Sequence, residues 1–266
     1  MREPMVFGAD LPEGVPIPRV IPCLLVDDEE MVKTVGFSSP RYLGDPINVI
    51  NLFNRFEVDE ITLLDIGATR RGEPPPFELI ERLAAECWVP LAYGGGIRTM
   101  KDVRTILSSG VEKVVLGTVA HDRPALITEA ADVYGAQAVV VSVDARRIAA
   151  GLAVFVESGM RAVGTDPASY AKRAVSHGAG EILVTSIDRD GTMQGYDLEL
   201  IRAVSQAVNV PVIACGGAGE RTDLPVPVQE AGASAVAAGS IFVFRGPERG
   251  VLINFPERQL LEALFA

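Results

Sequence analysis

Short β-branched apolar runs recur along the chain: VIPCLLV (20–26), ITLLDI (61–66), VPLAY (89–93), VVLGT (114–118), AVVVSVD (138–144), ILVTSI (182–187), VPVIAC (210–215) and AVAAG (235–239). Between them stand amphipathic stretches of helical period, such as PPFELIERLAAEC (75–87), KDVRTILSSG (101–110) and DLELIRAVSQAV (197–208). Strands that alternate with helices imply a parallel sheet, because each parallel step needs a crossover. Eight such units in 266 residues match the size of a single closed (βα)8 TIM barrel of the α/β class. Residues 1–18 read as an N-terminal extension and 19–266 as the barrel.

The two halves resemble each other. WVPLAYGGGI (88–97) parallels NVPVIACGGAG (209–219), and GVEKVVLGT (110–118) parallels GASAVAAGS (232–240). A duplicated half-barrel explains both matches, and it implies that a site in one half has a counterpart in the other.

Composition narrows the function. The chain is 48% hydrophobic and 22% charged, with a net charge of −11 and a pI near 4.8. No cluster of Lys and Arg appears, so nucleic acid is not the partner. An anionic ligand has to be held by local donors. Cys23, Cys87 and Cys215 are too few and too far apart for a disulfide framework or a metal site; two of them sit inside apolar runs and read as small core residues. His121 and His177 are isolated and read as surface residues. No metal or cofactor is implied. The first residues lack a signal-peptide pattern and no run is long enough to span a membrane, so the cytoplasm is the expected compartment.

Ligands of such barrels bind at the C-terminal ends of the strands. Gly95 and Gly96 with Gly117 and Thr118 lie there in the first half, and Gly216 and Gly217 with Gly239 and Ser240 in the second. Glycine lets backbone N–H groups approach an anion, and a following helix start adds positive potential. Two symmetric cradles predict an elongated, doubly phosphorylated small molecule.

The stretches AGEILVTSIDRDGTMQGYD (179–197), AVVVSVDARR (138–147) and VIACGGAG (212–219) closely resemble the cyclase subunit of imidazole glycerol phosphate synthase, a histidine-biosynthesis barrel. The likeness runs from about Arg19 to Phe244. It implies a barrel paired with a glutaminase, whose ammonia crosses the barrel to react with a doubly phosphorylated ribonucleotide. The family's chemistry uses two aspartates, at the ends of strands 1 and 5. Asp144 matches the strand 5 general acid. Leu25 stands where the other belongs, and a leucine moves no proton. Asp28 faces away from the Leu25 side. Asp27 faces the same side but two steps of about 3.3 Å further along, too high for a base that must sit about 3 Å from its proton.

The resemblance also places Lys33 on a mobile loop after strand 1, and Asp190, Gly191 and Thr192 beside the second phosphate. Gly117 stands where the family usually has an asparagine donor. Asp65 is expected to order the mouth or a substrate hydroxyl, and Thr185 to point into it. Four strands begin with a charge, Arg19, Glu60, Lys113 and Glu181, which match the family's charged ammonia gate. That gate lies on the N-terminal face, where the glutaminase is expected. A stabilising salt-bridge floor is the plainer interpretation.

VIPCLLV, RYLGDPINVINLFN, ECWVPLAYGGGI and SIFVFRGPERGVLINFP are similar to a branch of the family associated with sugar amidination in bacterial surface polysaccharides. In the last stretch Gly246, Pro247 and Gly250 interrupt the expected final helix. Three readings follow: an ammonia-conducting synthase subunit that no longer cyclises, a working cyclase with an unusual second base, or a non-catalytic scaffold that activates a glutaminase.

Overall fold

The computed structural model describes residues 17–246 and 248–266; the larger part of the N-terminal extension and Pro247 lie outside the described residues. Eight parallel strands form the barrel: β1 (Arg19–Asp27), β2 (Ile61–Asp65), β3 (Leu91–Gly94), β4 (Lys113–Leu116), β5 (Val139–Ile148), β6 (Glu181–Ser186), β7 (Val212–Cys215) and β8 (Ala235–Ala238). Each pairs with its neighbour in sequence, and β8 pairs back to β1 with Arg19 opposite Ala235 and Pro22 opposite Ala238. The sheet therefore closes with no free edge.

Strand period fixes which side chains face inward. On β1, Val20, Leu24 and Val26 pack outward in the layer between strands and helices. Ile21 and Cys23 turn inward, where they meet Ala92, Val115, Val140, Leu183, Ile213, Cys215, Ala235 and Ala237. The interior plug is thus apolar and mixes alanine and cysteine with valine, isoleucine and leucine.

The helices begin where the sequence supplies caps. Asp45 and Asp166 each precede a proline, and their side chains accept from Asn48 N and Ser169 N at the starts of Pro46–Arg55 and Pro167–Ser176. Thr99 and Asp102 form a capping box at Met100–Ser108, and Asp197 caps Leu198–Ser205. Phe77–Glu86 occupies the centre of the stretch expected to be helical.

Two expectations change. The segment after β1 is a β-hairpin, Glu30–Val35 with Ser38–Gly44, continuous with β1 through Leu25 opposite Val32. Strand β5 runs past Asp144 to Ile148 because Gly151–Val156 folds back on it, with Asp144 opposite Phe155. Both excursions rise over the same mouth. At the other end of the chain, a short hairpin of Phe244–Arg245 with Gly250–Val251 replaces continuous helix, and helix resumes at Arg258–Phe265.

The halves correspond in backbone as well as sequence. Gly95 and Gly96 (φ +119° and +69°) match Gly216 and Gly217 (φ +89° and +114°). A Cβ on Gly95 would fall 2.3 Å from the Asp65 carbonyl oxygen, and one on Gly217 2.2 Å from that of Gly195, so only glycine fits. Short helices then start at Thr118 and at Ser240.

Candidate active site

A cavity of about 390 Å³ opens at the C-terminal ends of the strands. Most of the predicted residues line it: Asp144, Lys33, Asp65, Thr185 and Asp190, with Gly95, Gly96, Gly117 and Thr118 of the first cradle and Gly191, Gly216, Gly217, Gly239 and Ser240 of the second. Thr192 does not; its hydroxyl donates to the Arg189 carbonyl at 2.8 Å and stabilises the loop from outside.

Asp144 stands on β5 with Oδ1 accepting from Ser142 Oγ at 2.8 Å. Its carboxyl reaches the cavity yet lies deep in the barrel, so burial pushes its pKa up to about 6, against hydrogen bonds from Ser142 and Thr185 and with further upward push from Asp190. A carboxylic acid tuned to that range can hold a proton near neutrality and deliver it.

Leu25 also lines the cavity and is 7% exposed. Among the described residues neither acid of the same strand, Asp27 or Asp28, lines the cavity in its place. Asp27 leaves the cavity wall and is clamped by Arg70 Nη2 at 2.8 Å and Arg71 Nη1 at 2.6 Å. Gly67 makes room for this clamp, since a Cβ there would overlap both Asp27 and Arg71. Asp28 lies in the exposed turn at φ +52°.

Asp65 is raised by burial, opposed by the N–H groups of Ala68 and Gly67, which donate to its Oδ1 at 2.8 Å each. Its carboxylate therefore orders the β2 loop. Lys33 is not a solvated loop charge: it sits in the hairpin, 7% exposed, with Nζ 2.9 Å from Asp190 Oδ1. Thr34 Oγ1 donates to the other Asp190 oxygen at 2.9 Å.

At the opposite end the four predicted charges meet in a closed ring. Arg19 donates to Glu60 and Glu181, and Lys113 Nζ lies 2.8 Å from each of the same two carboxylates. Burial works against the charge on Arg19, but Glu181 and Glu60 outweigh it and hold the guanidinium more firmly charged than usual. Between this floor and the cavity lies the apolar plug.

Several residues were not anticipated. Phe37, Ser38, Ser39 and Pro40 of the first hairpin, and Phe155, Glu157 and Ser158 of the second, roof the cavity. The continuous apolar run LAVFV (152–156) directly after Gly151 was the available signal for the second. His121 is not a simple surface residue: it is half-buried, its ring stacks on Tyr170 at 6.4 Å, and its Nδ1 has no partner. The free cysteines Cys23 and Cys215 lie inside the barrel and touch the cavity. Among the described residues no helix is long and apolar enough to cross a membrane.

These features define a (βα)8 barrel with a tuned carboxylic acid at its mouth and an ionic ring at its floor. The chain matches the model of the histidine biosynthesis protein family over residues 19–246 and belongs to that family. It is 46% identical over 250 residues to a Leptospira interrogans protein provisionally named imidazole glycerol phosphate synthase subunit HisF, covering 93% of this chain and 98% of that protein. A Pseudomonas aeruginosa protein with the provisional name imidazole glycerol phosphate synthase subunit hisF2 is 48% identical over 245 residues, covering 92% and 98%. A Vibrio vulnificus protein provisionally named subunit hisF3 is 43% identical over 240 residues, covering 90% and 92%.

Proposed function

We propose that this barrel is the synthase-type subunit of a glutamine amidotransferase that receives ammonia from a glutaminase and does not itself close an imidazole ring. The observation that carries this reading is the pairing of an intact floor with an incomplete mouth. Arg19, Glu60, Lys113 and Glu181 form a closed ring, while Leu25 of β1 lines the same cavity as Asp144 of β5 and the nearby Asp27 is held by Arg70 and Arg71. A positioned general base contributes about 10²–10⁴ in rate, so a barrel without one makes a poor cyclase.

In this reading a glutaminase docks on the N-terminal face. Ammonia is small and neutral; it passes the ring when one ion pair swings aside and then crosses the apolar plug, past its alanine and cysteine side chains. An elongated phosphorylated ligand occupies the mouth. The acceptor of the nitrogen is a sugar destined for a surface polysaccharide, in keeping with the branch that VIPCLLV and RGPERGVLINFP resemble.

A second reading, a working cyclase of histidine biosynthesis, is favoured by the names of the relatives and by the tuned Asp144. Ammonia-dependent turnover of the phosphoribulosyl aminoimidazole carboxamide ribotide separates the two. The proposal expects no turnover above about one part in a hundred of an ordinary cyclase; ordinary turnover ends it. A scaffold that only activates its glutaminase is excluded if Glu60→Gln alters ammonia delivery while glutamine cleavage stays constant.

A further inference from the structure

Cys23 and Cys215 lie far apart in the chain, and the barrel brings them together. Both side chains turn inward, belong to the same apolar cluster and line the cavity, which puts them where the plug ends and the mouth begins. Both thiols are free, and at 6% and 7% exposure they are reached through the cavity. They are neighbours: interaction with Cys23, and then burial, push the Cys215 thiol well above its ordinary value. Strand β8, which runs between them, adds no bulk. Ala237 stands opposite Cys215, and Pro22 opposite Ala238 puts Cys23 level with Gly239. A Cβ on Gly239 would fall 2.8 Å from the Cys23 carbonyl oxygen, and the Lys33 stem occupies the space such a side chain would take.

A disulfide does not fit this pair. Adjacent strands are about 4.8 Å apart, so positions two strands apart stand about 9 Å apart across the curved wall, and a disulfide tolerates no more than about 7 Å between Cα atoms. A bridging metal ion does fit. A metal–thiolate bond is about 2.3 Å long, so a linear sulfur–metal–sulfur link spans about 4.6 Å where a disulfide spans about 2.05 Å. The added reach matches the strand spacing. The ligand set then selects the metal. Among the described residues no group of three or more Cys, His, Asp or Glu side chains is placed to hold an ion, so a tetrahedral zinc site lacks its remaining ligands. Two thiolates alone suit a soft ion that is satisfied by two ligands.

We infer that Cys23 and Cys215 form a two-coordinate thiolate site for a soft monovalent cation of the Cu(I) class, at the junction of plug and cavity. Binding takes up one cation and releases the two thiol protons. The bridge ties β1 to β7 across β8 and stands in the barrel interior. On the proposed function that is where ammonia leaves the plug, so the occupied protein is expected to permit glutamine cleavage yet pass less nitrogen on. The site itself does not depend on that reading.

The probe is Cu(I), supplied anaerobically and titrated against a chromophoric Cu(I) chelator, with X-ray absorption to count the sulfur ligands and thermal melts to confirm that each variant is folded. The isolated wild-type barrel is expected to bind one ion through two sulfurs. Cys23→Ser and Cys215→Ser are each expected to weaken binding by about a hundredfold or more. Cys87→Ser is expected to leave it within twofold, because the Cys87 thiol lies away from the cavity and donates to the Val89 carbonyl at 3.3 Å. Hydrogen peroxide applied to the metal-free protein is expected to give no disulfide between the β1 and β7 peptides in a mass-spectrometric map. No copper binding, binding that survives either serine variant in a folded protein, a four-ligand shell around the copper, or a Cys23–Cys215 disulfide each overturns the inference. Nitrogen transfer is read separately with a glutaminase present. Copper that binds as described but leaves transfer unchanged sinks the proposed ammonia path and not the site, and a barrel that transfers nitrogen normally yet binds no copper sinks this inference alone.

Discussion

Asp27 Oδ1 lies 2.6 Å from Arg71 Nη1, and Arg70 closes on the other carboxylate oxygen at 2.8 Å. A carboxylate gripped by two guanidinium groups has both oxygens engaged and is fixed outside the cavity wall. To act as a base at the depth of Leu25 it would have to break both pairs and reach about two residues inward. Strand β1 therefore carries acid in its sequence without supplying base to its cavity.

Leu25→Asp puts a carboxylate where Cys23 and Leu25 already point inward. If the lost base is what disables cyclisation, this variant gains ribonucleotide turnover of about 10²–10⁴ over wild type with ammonia supplied directly. It also loses stability, because an unpaired carboxyl enters the apolar wall shared with Cys23 and Leu64, and burial there disfavours its charged form. Steady-state kinetics with ammonium salts reads the first effect and urea unfolding the second. A folded Leu25→Asp protein with no gain would move the missing determinant elsewhere in the mouth.

Asp144 couples the site to stability. Its folded pKa is about 6 against an ordinary 3.8, so between those pH values the native state holds more protons than the unfolded one. Stability contributed by the neutral acid is thus present at low pH and lost as pH rises to about 6. Asp144→Asn removes that ionisation. The variant is expected to be more stable than wild type at pH 7, by at most about 3 kcal/mol at 1.36 kcal/mol per pKa unit, and equal to it below about pH 4. Paired urea titrations at pH 4 and pH 7 check the crossing; a constant difference would mean that Asp144 is not the titrating group.

The floor ring is neutral overall and almost sealed. Glu60 is 2% exposed and accepts from both Arg19 and Lys113 through one oxygen. Glu60→Gln leaves two cations sharing Glu181, and breaking a buried pair on one side costs about 3–5 kcal/mol, less here because Arg19 is partly wet. Isothermal unfolding should show a loss of about 2–4 kcal/mol. With a glutaminase present, the ratio of glutamine cleaved to nitrogen transferred is expected to rise, since an ill-closed gate leaks ammonia. An unchanged ratio in a folded variant would assign the ring to stability alone.

Much of this architecture can be read along the chain, for local reasons. Strand β1 follows the period-2 rule through Ile21, Cys23 and Leu25, and the caps Asp45-Pro46, Thr99 and Asp197 announce their helices without tertiary help. The first residue of a strand fixes a height, which is why Arg19, Glu60, Lys113 and Glu181 could be brought together on paper. What the sequence hides is who occupies whom. Nothing in VDD foretells that Asp27 meets arginines more than forty residues away, or that Thr118 already accepts the Glu157 N–H. The hairpin through Lys33 is hidden for the same reason: its strands are exposed along one edge, and pairing to β1 and Asp190 decides their shape.

Arg249 gives the last test. It stands in the C-terminal hairpin that interrupts the final helix, and its guanidinium donates to the carbonyls of Gly191 and Thr192 at 3.2 and 3.3 Å, while Arg41 donates to its own carbonyl at 3.1 Å. The hairpin thus braces the β6 loop from outside the barrel. The loop has other ties, since Gly36 N–H donates to the Asp190 carbonyl at 2.9 Å and Lys33 holds the Asp190 carboxylate. Arg249→Ala should therefore loosen the loop without releasing it. Two hydrogen bonds at about 0.5–1.5 kcal/mol each correspond to amide exchange about 5- to 150-fold faster over residues 189–192, with the melting temperature lowered by no more than a few degrees. Hydrogen–deuterium exchange with peptide resolution reads the loop directly. If exchange there is unchanged while the hairpin itself frays, the C-terminal segment only rests on the barrel, and the order of the β6 loop comes from Lys33 and Gly36.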